Sequence, residues 1–220
     1  HLGFKKEQIE DIDFVLEKII PEVVEILKPY EKKYNKLIPV IAAGGIYTGE
    51  DIYKYFQLGA SGVQMGTRFV ATDECDASNA FKQSYIDSEE KDIVIIKSPV
   101  GMPGRAINNK FIEDVEDGKK QPFKCPYHCI KTCDYKTTPY CIAFALANAY
   151  KGNFKHGFAF AGENAFRVKE VISVKELMQT LVKEFKEAAS VFNGNASGSN
   201  AWKNNSLEAI KLTPVLYLKK

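Results

Sequence analysis

The apolar positions change period several times along the chain, and each change marks an element. Over residues 7–28 they fall at Ile9, Ile12, Val15, Leu16, Ile19, Ile20, Val23, Val24 and Leu27. Steps of three and four residues place these on one helical face, which predicts an amphipathic helix bent at Pro21. Ile38-Pro39-Val40-Ile41-Ala42-Ala43 is apolar without a helical period and ends at Gly44-Gly45. Such a run predicts a strand buried on both faces. Helical spacing returns over residues 50–58, behind a cap and early acidic residues in Thr48-Gly49-Glu50-Asp51. Ser61-Gly62-Val63-Gln64-Met65 predicts a second buried strand, stopped by Gly66-Thr67. Strand, short helix and strand in close succession make a βαβ unit, which implies a parallel sheet.

Downstream the pattern predicts a helix over residues 77–88 and a strand at Ile93-Val94-Ile95-Ile96. Two prolines and two glycines punctuate residues 98–107, which reads as an ordered turn or loop. An Ala-rich helix follows Cys141, closed by Gly152. Ser173 and Glu176 form a capping box for a last amphipathic helix carrying Leu177, Leu181 and Phe185. Beyond Ala188 the composition shifts to Asn, Ser, Gly and Ala, which predicts a disordered tail.

Bulk properties narrow the field only slightly. A 45% hydrophobic content is that of a globular chain, and a net charge of +2 points to neither nucleic acid nor an anionic membrane surface as a partner. No apolar run approaches the ~20 residues that span a bilayer, and the start carries no secretory signal pattern. Four of the five cysteines are clustered in a chain that is not small, which favours a reducing cytoplasm over a secreted disulfide scaffold.

The first candidate chemistry lies in the glycine turns. They follow the carboxyl ends of both strands of the βαβ unit, where open sheets and (β/α)8 barrels bind ligands. Bare glycine backbone lets N–H groups approach an anion, and the Thr67 hydroxyl can add to them. On spacing alone, tight turns without a ligand explain these glycines as well as a phosphate site does.

The words of the sequence then carry further than its spacing. IAAGGI at 41–46, followed by LGASGVQMGTRF at 58–69, resembles the FMN-dependent barrels of the nitronate monooxygenase (2-nitropropane dioxygenase) family and FMN-type enoyl-ACP reductases. Gly-Gly-Ile with a later Leu-Gly-Ala is also similar to other phosphate-binding barrels, inosine monophosphate dehydrogenases among them. The Gln-Met-Gly-Thr-Arg-Phe ending favours the nitronate monooxygenase group. The resemblance implies that Gly44, Gly45, Gln64, Met65, Gly66 and Thr67 hold the phosphate of FMN. It also places His1, in His-Leu-Gly, at the family's catalytic histidine beside the flavin. An imidazole takes and returns a proton near neutrality, as a proton acceptor in nitronate chemistry requires; an exposed terminal histidine without a role is the plainer alternative.

The implied fold is α/β, the last strands and helices of a (β/α)8 TIM barrel, with a Cys-containing helical extension toward the carboxyl end. Residues 1–90 are then barrel, 91–187 the loop and helical extension, and 188–220 the tail. Eight strands close such a barrel, so the chain reads as a fragment that pairs with a missing amino-terminal half or forms a homo-oligomer.

A second candidate is Cys125, Cys129, Cys133 and Cys141, spaced C-x3-C-x3-C-x7-C around His128. Four thiols so close in sequence can converge on zinc or an iron–sulfur cluster. Reduced structural cysteines along one helical face, or a disulfide, remain open alternatives, and Cys75 stands apart. Arg105 can grip an anion or brace its own loop, and Asn164 and Arg167 are lesser candidates for the active-site side.

Three functions follow. The preferred one is an FMN-dependent oxidoreductase that oxidises alkyl nitronates, a small-molecule substrate, with oxygen. An enoyl-ACP reductase using NAD(P)H shares every motif. The third is a non-catalytic fragment or metal-binding module built on the cysteines.

Overall fold

A computed structural model of the chain describes residues 9, 12–119, 125, 128–129, 131, 133–134 and 136–195. The first long element is α1 (Leu16–Tyr34), which passes through both Pro21 and Pro29 and stops at Asn35 in the left-handed region, φ 46°. It therefore runs through the charged stretch that the apolar pattern left outside the helix. Next come β1 (Ile41–Ala43), α2 (Gly49–Gln57) and β2 (Gly62–Gln64), the expected βαβ unit. β1 and β2 pair in parallel, Ile41 opposite Gly62, Ala42 opposite Val63 and Ala43 opposite Gln64.

The expectation that the first strand is buried on both faces is corrected. Ala42 is fully buried, but Ile41 is 52% exposed and Ala43 is exposed too. Among the described residues the sheet has two strands only, so nothing covers the face that Ile41 and Ala43 present.

After one turn of helix, α3 (Thr67–Val70), and α4 (Asn79–Ile86, capped by Ser78), a second sheet forms. β3 (Ile93–Lys97) pairs antiparallel with β4 (Pro103–Ile107). The loop expected over residues 98–107 is thus half strand. Pro103 is tolerated because it occupies the first strand position. Gly104 is required because a methyl group there would lie 2.5 Å from the Phe160 ring. Residues 159–161 run antiparallel beside β4, with Ile107 N–H donating to Ala159 O and Ala161 N–H to Arg105 O, both at 3.0 Å. Helices α5 (Lys110–Glu116) and α6 (Ile142–Tyr150) pack on this hairpin, burying Phe111, Ile112, Tyr140, Ala145 and Phe158 in one cluster.

The last helix, α7 (Val174–Asn195), begins at the predicted capping box, where Ser173 N–H and hydroxyl both donate to the Glu176 carboxylate. It continues past Ala188, so the tail expected from residue 188 is helical to Asn195; residues 196–220 lie outside those described. Leu177 and Leu181 of α7 meet Ile20, Ala42, Ile52 and Tyr55 in the core of the βαβ unit. A third cluster, with Tyr47, Tyr85, Ile107, Ala159, Ala165 and Val168, joins the two sheets.

The tightest junction is between α2 and α7. Gly49 N–H donates to Glu184 Oε2 at 2.7 Å, and a methyl group on Gly49 would sit 2.2 Å from Leu181 O and 2.4 Å from Phe185 N. Backbone on both sides leaves no flexible atom to yield. Gly49→Ala is therefore expected to cost about 3 kcal/mol in denaturant unfolding; a change below about 1 kcal/mol would contradict this close approach.

Candidate functional site

The in-register parallel pair places Ala43 opposite Gln64, so the chain leaves both strands at the same level. Adjacent strands lie about 4.8 Å apart, and the two turns that the sequence singled out therefore emerge side by side. Gly44 (φ +112°) and Gly45 (φ +67°) adopt conformations that other residues rarely take. Gly44, Gly45 and Gly66 are all exposed, and a methyl group on Gly44 or Gly66 would meet nothing within 4 Å. Gly44 and Gly66 thus face open space, while a methyl group on Gly45 would lie 3.9 Å from Glu163 Oε2; bare main chain of this kind suits an anion approaching the amides. Helix α3 is one turn long, so its dipole adds little and the amides carry the site.

A third segment, Gly162 to Arg167, fastens both turns. Gly162 N–H donates to Thr67 Oγ1 at 3.0 Å, and Asn164 Nδ2 donates to Gly45 O at 2.7 Å. The Thr67 oxygen thus accepts from the protein while its own proton is still available to donate. In a trans peptide the N–H points away from the carbonyl. Holding Gly45 O toward Asn164 therefore turns the Ile46 N–H away from the fastening segment. Arg167 Nη1 completes the chain of contacts to Asn164 Oδ1 at 3.4 Å.

Beneath the turns lies Tyr47, only 6% exposed. The guanidiniums of Arg68 and Arg167 both stack on its ring, 4.4 and 4.2 Å from the centroid. Asp51 Oδ2 accepts from the Tyr47 and Thr48 N–H groups at 2.9 Å each, which ties α2 to the first turn. Arg105 reaches from β4 to within 3.8 Å of the Glu163 carboxylate, so it serves here in an ion pair.

Of the residues expected at the phosphate site, Gly44, Gly45, Gln64, Met65, Gly66 and Thr67 are thus brought together. His1 lies outside the described residues. Asn164 rises from a lesser candidate to a direct support of the first turn, and Arg167 reaches that turn only through Asn164. Tyr47, Arg68, Gly162 and Glu163 had no signal in spacing, although Arg68 adjoins Thr67 in sequence.

The cysteine cluster finds no support as a metal site among the described residues. Cys125, Cys129, Cys133 and Cys141 are free thiols ranging from exposed Cys129 to buried Cys141, which stands at the start of α6. Among the described residues no three His, Cys, Asp or Glu side chains converge as a metal site. The thiols are near enough to feel one another: burial first, then Cys125, Cys141 and Cys129, push the Cys133 thiol above its ordinary range. The zinc and iron–sulfur readings are thus without support among the described residues. A cavity of about 290 Å³ lies elsewhere, between β3, α5 and Tyr140, and its lining includes no residue of the glycine turns.

Comparison with known proteins bears on this geometry. The profile of the family described as nitronate monooxygenase matches residues 1–184. The chain belongs to the nitronate monooxygenase family. A probable nitronate monooxygenase from Staphylococcus aureus (strain Newman) is 40% identical over 97 residues, 44% of this chain and 25% of that protein. FabK from Thermotoga maritima superposes with a TM-score of 0.61 at 26% identity, over 82% of this chain and 51% of FabK. Nitroalkane oxidase from Streptomyces ansochromogenes gives 0.58 at 26% identity, over 80% of this chain and 45% of that enzyme. The α/β fold of this nitronate monooxygenase family member is thus related to both, and it spans about half their length. No helix among its described residues is long and apolar enough to cross a membrane.

The Asn164 contact is the most exposed to test. Asn164→Ala leaves the Gly45 carbonyl without its partner and is expected to lower unfolding stability by about 1 kcal/mol. An unchanged denaturation midpoint would show that the segment does not hold the turn.

Proposed function

We propose that the two glycine turns bind the phosphate of FMN and that the chain serves an oxidoreductase acting on alkyl nitronates with oxygen. The observation that carries this reading is the register of β1 against β2, which joins Gly44-Gly45 and Gly66-Thr67 into one open main-chain cradle. The residues fit the group: exposed glycines where a phosphate needs close approach, and a hydroxyl at Thr67. When bound, FMN supplies the redox step by taking electrons from the substrate.

The protein's part is to bind and orient. Amides of the two turns would hold the phosphate, Asn164 and Gly162 hold those turns still, and His1, in the role the family motif gives it, takes the acidic α-proton of a substrate that arrives as the neutral nitroalkane and orients one that arrives already as the nitronate. The βαβ unit forms part of a (β/α)8 barrel, and the uncovered face of Ile41 and Ala43 is where the remaining strands, or a second polypeptide supplying them, complete it. Residues 91–187 then form the extension beside the barrel. Five free thiols suit the reducing cytoplasm.

The likeness to FabK supports a second reading, an enoyl-ACP reductase in which a nicotinamide cofactor reduces the flavin. Bleaching of bound flavin by NADH without a nitronate would favour it over the first.

Titration of the chain with FMN, followed by quenching of flavin fluorescence, tests the shared part of both readings. Gly66 has φ −117°, which any residue adopts, and open space beside it. Gly66→Ala should therefore leave stability within about 0.5 kcal/mol while weakening FMN about tenfold or more. Unchanged FMN affinity in that variant would remove the phosphate from these turns.

A further inference from the structure

The phosphate monoester of FMN is close to a dianion near neutral pH, since its second pKa is about 6. Main-chain amides orient such a group but bring no full charge to it. The positive charge beside the turns comes from arginines, and their partners differ. Arg105 is matched by Glu163, at 3.8 Å. Among the described residues neither Arg68 nor Arg167 makes a salt bridge.

Both are nevertheless held in place. Their guanidiniums stack on the buried ring of Tyr47 at 4.4 and 4.2 Å, and Arg167 also donates to Asn164, the residue fixed to Gly45. Arg68 directly follows Thr67. Tyr47 comes two residues after Gly45, so the stack joins a neighbour of the first turn to a neighbour of the second. Of the nearby carboxylates, Asp51 accepts the N–H groups of Tyr47 and Thr48, and Glu163 pairs with Arg105 at 3.8 Å while its Oε2 stands 3.9 Å from where a methyl group on Gly45 would lie. Two cations on one ring without a carboxylate partner leave positive charge in excess there, which an anion at the turns would offset.

We propose that Arg68 and Arg167, clamped on Tyr47, supply the countercharge for the phosphate monoester at the glycine turns. The proposal rests on the reading that these turns bind FMN. It adds the source of discrimination between the phosphorylated flavin and its uncharged parent. Arginine suits the role, because a stacked guanidinium keeps its charge at any working pH and loses little freedom when an anion arrives.

Riboflavin, which has the same ring system without the phosphate, separates charge recognition from general damage. Fluorescence titrations with FMN and with riboflavin are compared for the unaltered chain, Arg68→Gln, Arg167→Gln and the corresponding lysine variants. Each glutamine variant is expected to weaken FMN about fivefold to tenfold, with riboflavin changed less than about twofold and each lysine variant losing less FMN affinity than its glutamine counterpart because the charge is kept without the stack. Equal loss for both flavins, or no loss for either, overturns the proposal and leaves the stack a purely structural device. Should a glutamine variant fail to fold, the salt dependence of the unaltered chain decides. FMN affinity falling with ionic strength while riboflavin affinity holds supports the countercharge, and FMN affinity independent of salt overturns it. If the unaltered chain binds riboflavin as tightly as FMN, the phosphate site itself falls, and the countercharge with it.

Discussion

Three residues of parallel pairing, Ile41–Ala43 against Gly62–Gln64, set the geometry on which the site depends. A parallel pair sends both strands out at the same end, and an in-register one sends them out at the same level. Two short glycine turns far apart in sequence thereby become neighbours. Everything else of functional interest either steadies that arrangement or uses it. The pairing is short, so its persistence depends on what packs around it rather than on its own hydrogen bonds.

That support comes from two directions. Helix α7 closes the back of the βαβ unit, with Leu177 and Leu181 in the core and the backbone of Gly49 against its own. The β3–β4 hairpin works from the other side. It carries residues 159–161 along its edge and so delivers Gly162 and Asn164 to the turns. The hairpin thus acts at a distance, as the scaffold of a fastening segment. The Tyr47 stack lies where these supports meet, in the cluster that joins the two sheets.

Much of this was legible in the chain before any coordinates. Local rules placed the βαβ unit, the Ser173–Glu176 box and the Gly152 stop, since each depends on residues a few positions apart. Gly44 and Gly45 announced themselves because glycine at positive φ leaves a strong mark in sequence. What failed was non-local. Asn164 meets Gly45 across 119 positions, and no period or motif encodes such a contact. Strand β4 was hidden by Pro103 and Gly104, residues that usually break strands but here fit the strand's first position and the Phe160 ring. The cysteine spacing carries less, because ligand geometry depends on where side chains converge, and no metal-ligating group of three forms among the described residues.

The central claim is that the two glycine turns act as one anion site. Amide hydrogen exchange of the chain with and without FMN tests it most directly, because it reads each turn separately. The account predicts that Gly45, Ile46, Gly66 and Thr67 gain protection together on adding FMN, and with the same dependence on its concentration. Protection of one turn alone, or of neither while flavin fluorescence is quenched, would contradict it.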